Sequence, residues 1–125
     1  MTDEWSNRGI RSQNDYAILT AEISKATFGM TPSAYKKFKG LKRENLRDYF
    51  TDLEQIFSIL GEAATKEITI KQDASGFFEN RVAAKKGGKI AGDARKNLER
   101  ESGKRVSTRS NYLTEPQNKK LTRGK

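Results

Sequence analysis

The sequence predicts an all-α protein, a compact bundle of about five helices with a flexible basic C-terminal tail. Three observations carry that prediction. Apolar residues recur at three- and four-residue spacings along several stretches. Strong start and stop signals (Thr31-Pro32, Thr51-x-x-Glu54, Gly29, Gly40) separate those stretches. Period-two patterning is confined to residues 67–71, and no second strand signal lies nearby to pair with it, so helix is favoured there too.

In chain order, residues 1–14 read as a loose polar lead, pinned at most by Trp5. Asn14 or Asp15 can cap a first helix, since a short side-chain acceptor satisfies a free first-turn N–H. Tyr16, Leu19, Ile23 and Ala26 share one face of it, and Gly29 stops it. Thr31-Pro32 opens a second, short helix, because proline fits a first-turn position whose N–H needs no partner. That helix carries Tyr35 and Phe38, ends near Gly40, and leaves Leu41 to pack back. Residues 44–50 form a further short turn with Leu46 and Phe50 inward.

Thr51 and Glu54 make a capping box ahead of the clearest amphipathic helix. Its expected inward stripe is Leu53, Ile56, Phe57, Leu60, Ala63, Ala64 and Ile68, serving as core or as a dimer seam. Gly61 weakens it by about 1 kcal/mol relative to alanine, which suggests close packing there. After a loop at residues 73–76, Phe77 and Phe78 open a helix that buries Val82 and Ala83. Gly87-Gly88 is expected to break it. A last helix, 89–101, then turns Ile90, Ala91, Ala94 and Leu98 inward and ends at Ser102-Gly103. Val106 and Tyr112-Leu113 are expected to dock as an extended segment. The domain so defined covers 15–113, and 114–125 reads as a disordered basic tail.

Composition narrows the function. A chain of 125 residues has room for one modest core. With no cysteine there is neither disulfide nor thiolate metal site, and with no histidine a Ser-His or Cys-His nucleophile cannot be built. No apolar run approaches the ~20 residues of a membrane helix. The polar start, with Asp3 and Glu4, does not read as a signal peptide, so a cytoplasmic, nucleoid-associated protein is expected, with no membrane partner.

The formal net charge is +9, and all of it lies in the second part of the chain. Residues 1–75 hold 11 Lys/Arg and 11 Asp/Glu, whereas residues 76–125 hold 14 against 5. Within 76–113 alone the balance is 10 against 4. Such asymmetry points to a polyanionic partner, nucleic acid first, because phosphate is read by Lys and Arg in number. The candidate contact residues are Arg81, Lys85, Lys86, Lys89, Arg95, Lys96, Arg100, Lys104, Arg105 and Arg109. The plainer reading of the same set is a solvated face. Aromatics are scarce in this region, which argues against a stacking platform for single strands.

Two sharper chemistries weigh less. Gly87-Gly88-x-x-x-Gly92 could cradle a phosphate, but the Gly-Lys-Ser/Thr of a P-loop is missing, and close helix packing explains the glycines better. Asp48, Asp52, Glu62 and Glu67, with Lys66 or Lys71, could hold Mg²⁺ for a nuclease, yet carboxylates on an amphipathic helix are normally its wet side. The expectation is therefore a non-enzymatic protein with no catalytic residues, no metal and no cofactor.

Several runs in order bring a family to mind. They are Ala17-Ile-Leu-Thr-x-Glu-Ile-Ser-Lys-Ala-Thr-Phe-Gly29, Tyr35-Lys-Lys-Phe-Lys-Gly-Leu41, Glu44-Asn-Leu-Arg-Asp48 and Thr51-Asp-Leu-Glu54. Leu60-Gly-Glu-Ala-Ala-Thr-Lys-Glu67, Gly87-Gly-Lys-Ile-Ala-Gly-Asp-Ala-Arg95 and Asn111-Tyr-Leu113 follow. Together they resemble the C-terminal region of the DNA-damage-inducible protein D group, relatives of phage-type antirepressors with a Bro-like N-terminal domain. The resemblance runs from about Asp15 to Leu113. It implies a bacterial or phage-related protein of the SOS response that contacts DNA or a RecA-type nucleoprotein filament, and it supplies no catalytic residues. The Bro-like domain, expected to carry DNA binding in antirepressors, is missing here, so the chain reads as an excised C-terminal domain or a short stand-alone relative. The alternative is an antitoxin or antirepressor that neutralises an acidic protein partner without touching nucleic acid.

Overall fold

The computed structural model describes residues 2–109. Among them the chain forms five α-helices and no strand: α1 (Thr2–Asn7), α2 (Gln13–Phe28), α3 (Pro32–Lys39), α4 (Asp52–Gln72) and α5 (Gly76–Ser102), with a 3-10 turn at Leu46–Tyr49. The all-α bundle expected from periodicity is the fold.

Local chemistry sets most boundaries. Thr31 Oγ1 accepts from the Ala34 amide with Pro32 in the first turn, and Gly40 closes α3 in the left-handed region at φ 75°. At α4 the capping box is complete: Glu54 N donates to Thr51 Oγ1 and Thr51 N donates to Glu54 Oε1 at 2.8 Å. Helix α2 starts earlier than expected, because Ser12 rather than Asn14 or Asp15 is the cap; its Oγ accepts from the Asp15 amide. Residues 67–71 are helical, the last turns of α4.

Three expectations are corrected. The lead is not loose: residues 2–7 form α1, and Trp5 and Ile10 are buried with Leu19, Ile23 and Ala84. The Gly76 amide donates to the Arg8 carbonyl, and Arg8 also reaches Glu4 and Asp73, so α1 is clamped onto the α4–α5 turn. Next, Gly87-Gly88 does not break the helix, and α5 runs unbroken for 27 residues. A Cβ at Gly87 would run into the backbone of Thr65; one at Gly88 would lie 2.6 Å from Ala26 Cβ and 2.7 Å from the Ile23 carbonyl. Gly92 faces the Ala26 carbonyl in the same way. Helix propensity favours alanine by about 1 kcal/mol at each position, but the approach of α2 and α4 leaves no room for a methyl.

The third correction concerns α4. Its buried residues are Glu54, Phe57, Gly61, Thr65 and Thr69, while Leu53, Ile56 and Ala63 of the expected inward stripe face solvent together with Ile59 and Ile70. Phe57, Leu60, Ala64 and Ile68 do turn at least partly inward. The helix has rotated toward its small and polar side, because that side admits close approach of α2 and α5 through Gly61 and Gly87.

The core divides in two along α5. Trp5, Ile10, Leu19, Ile23 and Ala84 pack near its first half, with Tyr16 and Phe77 against them. Phe28, Tyr35, Phe50, Phe57 and Val106 pack near its last turns, where Ala94 and Leu98 join. Val106 docks as expected. Tyr112-Leu113 and residues 114–125 lie outside the described residues.

Candidate functional site

The outer face of α5 is built by the same packing that hides its glycines. With Ala83, Ala84, Gly87, Gly88, Ala91 and Gly92 turned to α2 and α4, the opposite arc must face water. Lys85, Lys89, Lys96 and Arg100 fall on that arc, spaced by four, seven and four residues, and all are exposed. Lys86 lies beside them and is also exposed. Beyond Gly103, Lys104 and Arg105 continue the charge, and an open groove is lined by Lys96, Arg100, Lys104 and Arg105 together with the Arg95–Glu99 pair.

Not all ten candidate residues belong to this face. Arg95 is turned inward: Nε donates to the Thr27 carbonyl at 2.6 Å, at the end of α2, and Nη1 pairs with Glu99 at 2.8 Å. Arg81 pairs with Glu22 at 2.6 Å while its guanidinium lies 5.9 Å from the centre of the Phe77 ring. Arg109 sits over the Phe38 ring at 5.3 Å, and Phe38 packs against the second core cluster. These three cations help hold the fold. Lys89 pairs with Asp93 at 2.8 Å on the exposed surface, which holds the Asp93 carboxyl below its ordinary range. The structure thus brings together Lys85, Lys86, Lys89, Lys96, Arg100, Lys104 and Arg105, with Arg95 in the same groove but engaged by Thr27 and Glu99, while Arg81 and Arg109 are held by other partners.

One further residue belongs to this face. Phe78, expected only to open the helix together with Phe77, is 76% exposed and stands seven residues before Lys85, on the arc of the lysines. The spacing 78, 85, 89, 96, 100 is legible in the sequence, but no local pattern distinguishes an exposed Phe78 from the packed Phe77 beside it.

A second polar constellation is wholly interior. Glu54 and Lys39 are fully buried and paired at 2.8 Å. Glu54 also accepts from the Tyr35 hydroxyl and from the Thr108 amide at 3.2 Å. Burial and the neighbouring carboxylate push the Tyr35 hydroxyl far above its usual range. The network ties α3, α4 and the segment after α5 together, and every part of it that faces Glu54 is a donor to that carboxylate.

Among the described residues no three acidic side chains gather where they could hold a metal ion, so Asp48, Asp52, Glu62 and Glu67 do not form a cluster. Glu62 instead pairs with Arg47 of the 3-10 turn. No described helix is long and apolar enough to cross a membrane. No family model, curated protein or solved structure matches the chain.

Proposed function

We infer that the protein is a non-enzymatic binding module that contacts nucleic acid, DNA or a DNA-bound recombinase filament, through the outer face of α5. The carrying observation is the alignment of exposed Lys85, Lys89, Lys96 and Arg100 on one side of a rigid helix, continued by Lys104 and Arg105. Phosphate contacts need cations in number and in a line, which this face supplies. The resemblance to the damage-inducible protein D and antirepressor group points the same way, toward a bacterial or phage-related protein of the damage response, cytoplasmic and nucleoid-associated.

Fluorescence anisotropy with labelled DNA at two salt concentrations tests this. Engagement of four phosphates predicts a loss of about 10²-fold in affinity between 50 and 200 mM salt. Changing Lys85, Lys96 and Arg100 to Glu should abolish binding, whereas no binding at low salt would sink the reading. A regulator that neutralises an acidic protein partner is the second reading. The exposed apolar side chains of α4, Leu53, Ile56, Ile59 and Ile70, favour it, since nucleic acid would leave them unused. A partner retained from host lysate after nuclease digestion would support that version.

A further inference from the structure

We propose that Phe78 is a stacking platform for an unpaired base, so that the ligand of the α5 face is single-stranded nucleic acid rather than intact duplex. The inference rests on the nucleic-acid reading of that face and names its substrate class.

Phe77 and Phe78 are neighbours with opposite duties. Phe77 packs against the first core cluster beneath the Arg81 guanidinium, and the fold needs it. Phe78 is the most exposed of the large apolar side chains among the described residues. The scarcity of aromatics argues against a run of stacked bases, and an isolated exposed ring is ordinary, but this one is in register with a row of cations and is enough for a single base. Positions 78, 85, 89, 96 and 100 recur on one face, and the row spans about 33 Å along the helix axis. A ring at one end and ammonium groups along the rest match the two needs of a single strand, a π-face for a base and positive charge for its backbone. Duplex offers the same phosphates but keeps its bases stacked, so a ring meets a π-face there only by prying a base step apart, an unstacking cost that a single strand does not carry. Glu79, Asp93 and Glu99 stand beside the row; Asp93 is offset by Lys89 and Glu99 by Arg95, which leaves Lys85, Lys96 and Arg100 against Glu79, so the row remains net positive.

The test uses the full chain with an oligothymidylate of about 12 nucleotides carrying one 2-aminopurine, and a duplex of equal length. The wild-type protein should bind the single strand more tightly than the duplex at matched salt and quench the 2-aminopurine on binding. Phe78→Ala should lose about 10-fold in single-strand affinity together with the quenching. Its salt dependence should not change, because no charge is removed. Phe78→Trp should restore both signals, and thermal melts of each variant should overlay the wild type because the ring is exposed. If Phe78→Ala binds and quenches like the wild type while Lys85→Glu loses binding, the stacking role falls and the nucleic-acid reading stands. Equal affinity for both oligonucleotides would likewise overturn the single-strand preference. Should the wild type bind neither, the underlying reading falls and takes this one with it.

Discussion

Glu54 carries more of the fold than its sequence context suggests. One carboxylate oxygen serves the Thr51 amide and Lys39, and the other serves Tyr35 and Thr108. Only the first of these contacts was legible, as the capping box. The rest depend on where Lys39 and Thr108 end up after folding, and no local pattern encodes that. Truncating Glu54 to alanine would leave the Lys39 ammonium buried with its carboxylate partner gone. A loss of about 3–5 kcal/mol in urea-denaturation stability is expected, far beyond the ~1 kcal/mol of a lost cap. Tyr35 makes a pH signature. Its folded pKa is raised, so its contribution is complete below the ordinary tyrosine pKa near ~10. As pH climbs above that value the unfolded chain releases the proton while the folded chain retains it, and stability falls. Melting temperature measured from neutral to strongly alkaline pH should show this fall in the wild type and a shallower one in Tyr35→Phe.

At the scale of the element, α5 shows why a glycine pair can mislead. In isolation Gly87-Gly88 reads as a break, since each glycine costs a helix about 1 kcal/mol. Only the paths of α2 and α4 reveal that a methyl has no space there. Gly87→Ala should therefore destabilise the protein by about 1–3 kcal/mol in chemical denaturation, although alanine is the better helix former. If the glycines were merely tolerated, the same change would be stabilising. Helix α4 teaches a related lesson. Periodicity located the helix and its cap, but the side most deeply buried is the small and polar one, Glu54, Gly61, Thr65 and Thr69 with Phe57, which hydrophobicity alone passes over. Close approach at Gly61 and the Lys39–Glu54 pair decided the rotation. The basic face of α5 was legible as a set of charges; its membership was not, because Arg81, Arg95 and Arg109 found partners from other elements.

For the whole molecule, the division of charge was readable from the sequence, since counting requires no fold. The division of the core was not, because its clusters join residues as distant as Trp5 with Ala84 and Phe28 with Val106. Between the clusters α5 presents only small residues, packed directly on neighbouring backbone. That waist leaves neither half able to shed its helices without uncovering the other. Unfolding should be all-or-none: Trp5 fluorescence, which reports the first cluster, and far-UV circular dichroism, which reports all helices, should give the same midpoint. Separate midpoints would show that the two halves melt independently.

The docking of Thr108 on Glu54 has a consequence for amide exchange. Thr108 lies beyond the last helix, in a segment with no regular backbone pairing, and a residue so placed ordinarily trades its amide proton with solvent quickly. Here that proton is held by a carboxylate with no exposure of its own. Its release requires the contact that joins both ends of residues 54–108 to open. The Thr108 amide should therefore exchange more slowly than its unpaired backbone alone would predict, and Glu54→Ala should speed it.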